Sequence, residues 1–436
     1  MSTHKPVAKL LDYRGAIALV IANTIGTGVF TTSGFALADL GSPEYVMLAW
    51  LVGGLYALCG VVIYSDLATY YPHTGGEYAY LRYSLHPALG TVAGWVSLVA
   101  GFSSPIAAAA LGAQLYWSRV VTGSFTEPWF ASAIVLLLGG VHALTPHWGV
   151  RLQNKAVLIK VIAIVVFIGF GLSAMPQLSE TAVAPVHDAG FPLVAFAGSL
   201  VWISFAYSGW NAAVYVTGEV EGGGYAVKKA LYTGTLLVIL LYLGVSAVIL
   251  YGAPSTELLG VAESGAAAAR ALGGVNAEQA LSALITLALI TSVSSMLISG
   301  PRVYAQMARD GALPGWIAFL QCQHPVIAVM LQMLLSLLLI WSANLRQLLE
   351  FAGVMLSLSA GVVVIGWLKL VVQGRIKTNY FRLLVALIFL FATLGIAVAS
   401  FLIRPGSIYA AVSFVIVGLL VHRITVIPPE NNRQKK

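Results

Sequence analysis

Residues 23–30 read Asn-Thr-Ile-Gly-Thr-Gly-Val-Phe and lie in the middle of an apolar stretch long enough to cross a lipid bilayer. About 180 residues further on, residues 205–211 read Phe-Ala-Tyr-Ser-Gly-Trp-Asn, inside a second such stretch. Glycine costs roughly 1 kcal/mol relative to alanine in a helix interior, and in lipid every freed backbone group needs a new partner. Two glycine-broken helices at matching places in two halves of a chain are typical of a transporter, which uses them to bind its substrate.

The composition indicates an integral membrane protein. Of the 436 residues, 59% are hydrophobic and 9% are charged, and the mean hydropathy is +0.89, whereas a soluble domain carries about 25% charged residues. The positive-inside rule explains the net charge of +7 without a nucleic-acid partner. Cys59 and Cys322 are predicted to stay unpaired, and since the sequence shows no metal-ligand cluster, we expect neither a metal nor a cofactor.

Hydropathy predicts twelve membrane spans. Their bounds are roughly 15–38, 45–67, 88–118, 128–144, 154–175, 192–217, 226–251, 276–300, 325–343, 346–372, 380–402 and 406–424. With residues 1–14 and 425–436 placed in the cytoplasm, 19 Lys and Arg residues lie on the inner side and 4 on the outer side. This bias predicts that both termini are cytoplasmic.

The order of the spans predicts an inverted repeat. Spans 1–5 occupy residues 15–175 and spans 6–10 occupy residues 192–372, with similar spacing and a break in the first span of each block. Because each block has five crossings, the second block enters the membrane from the opposite face. Spans 11 and 12, at residues 380–424, fall outside the repeat.

Four motifs resemble those of the amino acid–polyamine–organocation superfamily, and in particular its L-type amino acid transporter branch. They occupy residues 24–30, 64–67 with 71–82, 205–211 with 216–220, and 301–304 with 308–314, and they occur in the family's order on the expected spans. The resemblance covers residues 12 to about 325. It implies an all-α fold of twelve membrane helices in a five-plus-five inverted repeat, with spans 1 and 6 broken at mid-membrane, that carries amino acids.

The sequence departs from the family pattern in two places. Residues 219–225 read Glu-Val-Glu-Gly-Gly-Gly-Tyr, without the proline that usually follows span 6, so we expect a more flexible loop there. Residues 119–127 contain no cysteine, whereas eukaryotic L-type members use one to bind a glycoprotein subunit. The sequence therefore predicts a carrier with no disulfide-linked subunit, in the inner (plasma) membrane of a prokaryotic cell.

An amino acid presents a carboxylate and an ammonium group, and the two breaks offer partners for both. The N–H groups that begin the second half of span 1 suit the carboxylate, because the helix dipole favours negative charge there. Unwound carbonyl groups suit the ammonium. The alternative is that the glycines only allow close helix packing. The residues predicted to bind substrate are Thr24, Ile25, Gly26, Thr27, Gly28, Val29, Phe205, Ala206, Ser208 and Gly209.

Two aromatic residues at the second break are candidate gates. Phe205 is predicted to close over the substrate from outside, as the family resemblance implies, and Trp210 is predicted to gate or simply to pack. Asn211 needs hydrogen-bond partners in the membrane, so bracing the unwound segment is an alternative to substrate contact.

Lys160 lies inside span 5, where a lysine costs about 2.5–3.5 kcal/mol to insert. One alternative is that its ammonium snorkels to the cytoplasmic surface. The family resemblance places a lysine here, beside spans 1 and 8, where sodium-coupled relatives of this fold bind an ion. A fixed cation would replace sodium, so we predict sodium-independent transport. Lys160 could also carry a coupling proton, and the sequence leaves the two roles open.

The charges predict a neutral L-amino acid as substrate. Spans 1, 3, 6 and 8 contain no Asp or Glu at mid-depth, and Glu350 near span 10 is the exception close to the pore. A cationic side chain would therefore lack a counter-charge.

Charged residues around the cytoplasmic loop between spans 2 and 3 are either solvated or part of an inner gate. Three of them bracket this loop, and three more come from later segments that could meet it. The candidates for such a gate are Asp66, Glu77 and Arg82, with Arg302, Lys228 or Glu219 as their partners.

Alternating access, by exchange or by proton symport, is the mechanism that the sequence favours. A cationic amino acid or polyamine carrier is the first alternative. A membrane sensor that binds an amino acid without transport is a weaker one. An intramembrane enzyme is not expected, because no set of His, Asp and Glu residues occurs at membrane depth.

Overall fold

The computed structural model describes residues 11–121, 127–144, 146–175, 191–318, 325–403 and 405–425. Regular secondary structure within these ranges is helical, and one isolated parallel bridge joins Leu11 to Val220. Most of the predicted cytoplasmic ends, 1–14 and 425–436, lie outside the described residues, and so does Cys322.

Sixteen α-helices are labelled in chain order. They are α1 Tyr13–Thr24, α2 Gly28–Leu40, α3 Pro43–Tyr70, α4 Gly76–Ser84, α5 Pro87–Val96, α6 Ser104–Val120, α7 Trp129–Leu144, α8 Pro146–Ala174, α9 Leu193–Tyr207, α10 Gly223–Tyr251, α11 Ser255–Leu258, α12 Ser264–Arg309, α13 Val326–Ser342, α14 Leu345–Val372, α15 Tyr380–Ile403 and α16 Pro405–Thr425. A π-helix at Ser97–Ser103 joins α5 to α6, and a 3₁₀-helix at Ala212–Glu219 precedes α10.

Nine helical segments of the described ranges are long and apolar enough to cross a membrane. Three shorter apolar helices, Trp129–Leu144, Val326–Ser342 and Ala411–Leu420, lie where spans 4, 9 and 12 are predicted. Length and apolarity alone do not show that these three cross, so the count of twelve and the inverted repeat stay predictions. The chain is a multi-pass membrane protein.

Predicted span 8, residues 276–300, is part of the longer helix α12. The backbone of α12 is non-helical at Gly273 and Gly274, where Gly274 has a φ of +70°. Glycine adopts this left-handed conformation without steric cost. The two glycines therefore let the helical segment before residue 273, which lies outside the predicted span, continue into the predicted span without a loop. Hydropathy detects only the apolar part of such a helix.

The outer surface of the helix bundle suits lipid. Leu137 on α7 is 71% exposed and Phe391 on α15 is 80% exposed, whereas Trp50 and Trp202 are fully buried. Exposed apolar area of this extent marks an interaction surface, and here it lies on membrane-length helices.

The first and sixth spans are both interrupted. Helix α1 ends at Thr24 and α2 begins at Gly28. Helix α9 ends at Tyr207, and the chain becomes helical again at Ala212 as a 3₁₀-helix. Each interruption falls on the glycine motif from which it is predicted.

Two glycines allow the breaks to touch. A Cβ atom at Gly28 would lie 2.5 Å from both Cα and Cβ of Ala206. Gly209 has a φ of +100°, and a Cβ atom there would lie 2.6 Å from the carbonyl carbon of Asn23. The two breaks could not pack this closely without these glycines. The alternative that the glycines serve helix packing therefore holds, whether or not substrate also binds beside them.

Candidate functional site at the two helix breaks

Tyr242 on α10 ties the two breaks together. Its hydroxyl oxygen lies 2.6 Å from the Thr24 carbonyl oxygen and 3.0 Å from the Ala206 carbonyl oxygen. A hydroxyl has one proton to donate, so the two carbonyls share it. Two of the carbonyls predicted to hold an ammonium group thus already accept from a protein donor.

Lys160 bonds to the first break. Its side chain is 3% exposed, and Nζ donates to the Ile25 carbonyl oxygen at 2.9 Å and to Ser292 Oγ at 2.9 Å. Ser292 Oγ in turn lies 2.6 Å from the same Ile25 oxygen. The ammonium therefore reaches the centre of the bundle, which does not fit the snorkelling alternative. Among the described residues, Lys160 forms no salt bridge.

The start of α2 offers backbone donors. The first N–H groups of a helix have no acceptor within that helix, and the preceding residue, Thr27, forms no side-chain cap. The Thr27 carbonyl accepts from the N–H groups of Phe30 and Thr31. Gly28 and Val29, as first residues of α2, therefore present N–H groups of the kind that binds a carboxylate.

A cavity lies beside the second break. Its wall combines the unwound segment after α9 with side chains of α3, α14, α15 and the π-helix. The cavity-lining residues are Asn23, Tyr56, Glu77, Gly101, Phe102, Pro105, Ser204, Ser208, Gly209, Trp210, Asn211, Ala212, Tyr215, Met296, Leu356, Ser357, Ala360 and Phe389.

The cavity includes only some of the predicted substrate-binding residues. Ser208 and Gly209 line it, whereas the remaining eight do not. Those eight residues are Thr24, Ile25, Gly26, Thr27, Gly28, Val29, Phe205 and Ala206. The first break is thus represented in the cavity wall by Asn23, whose amide donates to Ser295 Oγ at 2.5 Å. The structure brings the two breaks together but opens the cavity beside the second.

The two predicted gates differ in their surroundings. Phe205 is 6% exposed and lies outside the cavity wall. Trp210 lines the cavity and packs edge-on against Tyr64, with ring centroids 4.7 Å apart. Its ring also lies against Gly60, where a Cβ atom would come within 2.6 Å. Packing and gating are therefore compatible for Trp210.

Charged groups pair at the end of the bundle that is predicted to face the cytoplasm. Arg302 Nε lies 2.7 and 2.8 Å from the two carboxylate oxygens of Glu219, and both side chains are nearly buried. Asp66 pairs instead with Arg382, with Nη1 to Oδ1 at 3.0 Å. Of the predicted inner-gate residues, Arg302 and Glu219 are the two that pair with each other.

The loop without the proline forms a turn at two glycines. Gly222 and Gly223 have φ values of +83° and +57°. The N-terminal segment pairs with the same loop: Leu11 N donates to the Glu219 carbonyl at 3.2 Å, and Glu221 N donates to the Leu11 carbonyl at 2.8 Å. The greater flexibility expected of this loop stays a prediction.

Sequence reasoning missed two side chains at the site, Tyr242 and Ser292, which bond to the breaks. Glu77, predicted to be either solvated or part of an inner gate, lines the cavity. Polar groups inside apolar spans need partners, which is the signal that could have singled out Tyr242. In the described part of the chain, no group of three or more His, Cys, Asp or Glu residues is placed to hold a metal ion.

Comparisons with curated proteins find amino acid transporters. The chain is 28% identical over 349 residues to the serine/threonine exchanger SteT of Bacillus subtilis, covering 77% of each chain. It is 25% identical to large neutral amino acids transporter small subunit 2 of Oryctolagus cuniculus, covering 86% of this chain and 73% of the relative. It is 24% identical to Asc-type amino acid transporter 1 of Homo sapiens, covering 91% and 78%.

One solved structure has a similar fold, and at its low sequence identity the similarity supports the fold and not the function. A mutant manganese transporter of Eremococcus coleocola matches with a TM-score of 0.60 and 16% identity over 95% of each chain. The sequence pattern of the family described as "Amino acid permease" matches residues 11–424. This chain therefore belongs to the amino acid permease family, within the amino acid–polyamine–organocation superfamily.

Proposed function

We propose that this protein carries neutral L-amino acids across the inner (plasma) membrane by alternating access and without sodium. The contact between the two breaks carries the proposal. Gly28 at the start of α2 lies against Ala206 near the end of α9, so backbone donors and carbonyl acceptors come together near mid-bundle. One small molecule with a carboxylate and an ammonium fits this pattern of partners.

The carboxylate is assigned to the N–H groups of Thr27, Gly28 and Val29. The ammonium is assigned to carbonyls of the breaks. The Tyr242 hydroxyl already bonds to the carbonyls of Thr24 and Ala206. A carbonyl oxygen has two lone pairs, however, and can accept a second hydrogen bond. Substrate entering from the cavity would first meet Ser208 and Gly209, which belong to its wall.

A neutral side chain fits the cavity better than a cationic one. Glu77 is the single acid among the lining residues, and its Oε1 already accepts from Tyr64 and Asn211. Its Oε2 has no exposed surface from which to meet a ligand. Glu350 pairs with Arg346 at 3.3 Å and does not line the cavity. Glu77 nevertheless keeps a cationic amino acid or polyamine as the second candidate.

Lys160 supports the sodium-independent part of the proposal. Its ammonium bonds to the carbonyl of Ile25 and to Ser292 on α12, which are the kind of oxygen ligands that a cation requires. Because the Lys160 ammonium already occupies these oxygen ligands, a sodium ion is not needed there and would be repelled by the positive charge. We assign exchange as the transport mode, because one relative is named a serine/threonine exchanger; proton symport is the alternative.

The relative from Oryctolagus cuniculus is named as the small subunit of a transporter. We propose that this chain works without a disulfide-linked subunit, because residues 119–127 contain no cysteine. Its named relatives are transporters rather than enzymes. A sensor that binds without transport shares the same site, and only a transport measurement separates the two.

A binding panel tests substrate class and sodium dependence together. Purified protein is incubated with labelled leucine and challenged with unlabelled alanine, serine, arginine and spermidine, in sodium chloride or in choline chloride. We expect competition by the neutral amino acids and equal affinity in both salts. Competition by arginine or spermidine alone would favour the second candidate, and binding that requires sodium would refute the role given to Lys160.

A further inference from the structure

Glu77 is a buried acid at the rim of the cavity. It lies in the first turn of α4, between spans α3 and α5, and on the predicted topology this short helix is on the cytoplasmic side. Its side chain is 4% exposed. An ionised carboxylate is costly to bury without a charged partner, so its neighbours decide which form it takes.

The two oxygens of Glu77 have unequal surroundings. Oε1 accepts from Asn211 Nδ2 at 2.5 Å and from the Tyr64 hydroxyl at 3.1 Å. Oε2 is buried and has no hydrogen-bond partner. Because Oε1 accepts both of these bonds, Oε2 is the oxygen on which a proton would sit.

The groups that face Glu77 are uncharged. Tyr64 approaches from α3, Tyr80 from its own helix, and Asn211 and Tyr215 from the segment after α9. Among the described residues, no Lys, Arg or His lies within salt-bridge distance of it.

Burial raises the pKa of Glu77 above that of an exposed glutamate, and hydrogen bonds from its neighbours offset only part of the rise. Arg302, a buried cation at the cytoplasmic end of the bundle, is held by Glu219 instead.

The Glu77 contact also joins α4 to the unwound segment after α9. Asn211 is the last residue of the unwound segment, and its amide bonds to both Glu77 and the hydroxyl of Tyr215, at 3.0 Å. Helix α4 is therefore joined to the segment after α9 at Asn211. Rigid-body motion of the broken spans against the rest of the bundle is the usual route of alternating access, and it would have to break this contact.

We propose that Glu77 is a proton-binding site that latches the unwound segment at Asn211, and that release of its proton opens the cavity to the cytoplasm. In the latched state the neutral acid stays buried. When water reaches the site, the acid gives its proton to water, which becomes hydronium, and the carboxylate is hydrated. Rebinding of one proton from water restores the latch, so no other reactant is required.

The latch part of the inference rests on the proposed function, because it concerns the same cavity. The proton-binding part does not. One proton changes the ratio of the two states by at most about tenfold per pH unit. Exchange measured at a fixed external pH should therefore vary with internal pH, and by no more than this factor.

Infrared difference spectra test proton binding without substrate. We compare acid and alkaline buffers for wild type, Glu77→Gln and Glu221→Gln, where Glu221 is an exposed acid of the adjacent loop. We expect the carbonyl band of a protonated acid that titrates above the ordinary glutamate range. It should be absent from Glu77→Gln and unchanged in Glu221→Gln. A band that persists in Glu77→Gln would overturn the proton site.

A second variant guards against misfolding of Glu77→Gln. Tyr64→Phe removes one donor to the carboxylate and keeps the ring, so the pKa of Glu77 should rise and the band should titrate at higher pH. An unchanged midpoint would also count against the site.

Exchange in proteoliposomes separates the latch from the proposed function. Wild type should respond to internal pH, and Glu77→Gln should exchange at a rate that ignores it. An equal response in both proteins would refute the latch. If the infrared band behaves as expected but neither protein transports any amino acid, the proposed function fails and the proton site stands.

Discussion

Replacing Lys160 by methionine tests how the first break is held and whether it binds substrate. Methionine preserves much of the apolar stem and removes the ammonium, which bonds to the Ile25 carbonyl and to Ser292. The break keeps the Ser292 hydroxyl, 2.6 Å from the same carbonyl. We therefore expect a looser binding site in a protein that still folds, since removal of a buried charge also relieves its desolvation cost.

The magnitude follows from the lost hydrogen bonds. A hydrogen bond to a charged group contributes about 1.5–3 kcal/mol. Because Ser292 partly replaces Lys160 at Ile25, we count one bond rather than two. With about 1.4 kcal/mol per tenfold change, the Kd for a neutral amino acid should rise about ten- to hundredfold.

The assay is equilibrium binding of labelled leucine to purified protein in sodium-free buffer. Lys155→Met is the matched control, because Lys155 is an exposed lysine on the same helix, and its affinity should match wild type. If the ammonium of Lys160 replaces a sodium ion, sodium chloride should restore part of the affinity of Lys160→Met. Wild-type affinity in Lys160→Met would refute the reasoning.

Three further substitutions probe the contacts around the breaks. Gly28→Ala places a Cβ atom 2.5 Å from Ala206, so leucine binding and the melting temperature should both fall. Adding Ala206→Gly to this variant should restore only part of the binding and the stability, because Cα of residue 206 is equally close. Full leucine binding by Gly28→Ala alone would contradict the close contact. Tyr242→Phe removes the hydroxyl shared by two carbonyls. A neutral hydrogen bond contributes about 0.5–1.5 kcal/mol, so the affinity for leucine should weaken about two- to tenfold. An unchanged affinity in a filter-binding assay would show that this hydroxyl does not support the site. Glu219→Gln leaves the buried Arg302 without its anion, which should destabilise the protein by about 3–5 kcal/mol in denaturant unfolding, and a loss below about 1 kcal/mol would show that the pair is solvated.

The breaks could be predicted from the sequence because glycine acts locally. Gly28 and Gly209 stand out in apolar spans, and each interruption falls beside one of them. The position of Lys160 is also readable, since a charge at that depth must find partners inside the bundle. The identity of those partners is not readable, because Ile25 and Ser292 meet Lys160 only through tertiary packing.

The cavity is beyond sequence reasoning for a different reason. Its wall draws on Tyr56 of α3 together with Ser357 of α14 and Phe389 of α15, far from α3 in the chain. No local pattern marks the faces that meet. The sequence places Glu77 among loop charges, because a short polar stretch between two spans normally lies in water. Its burial follows from the return of α4 against the segment that contains Asn211.

Transport by purified protein in proteoliposomes tests the central claim most directly. Labelled alanine, leucine and arginine are supplied outside vesicles that contain either unlabelled amino acid or buffer, in sodium-free medium and at two external pH values. We predict uptake of alanine and leucine only into vesicles loaded with a neutral amino acid, and no uptake of arginine. Uptake that requires sodium, or uptake of arginine alone, would contradict the claim that this is a sodium-independent exchanger of neutral amino acids.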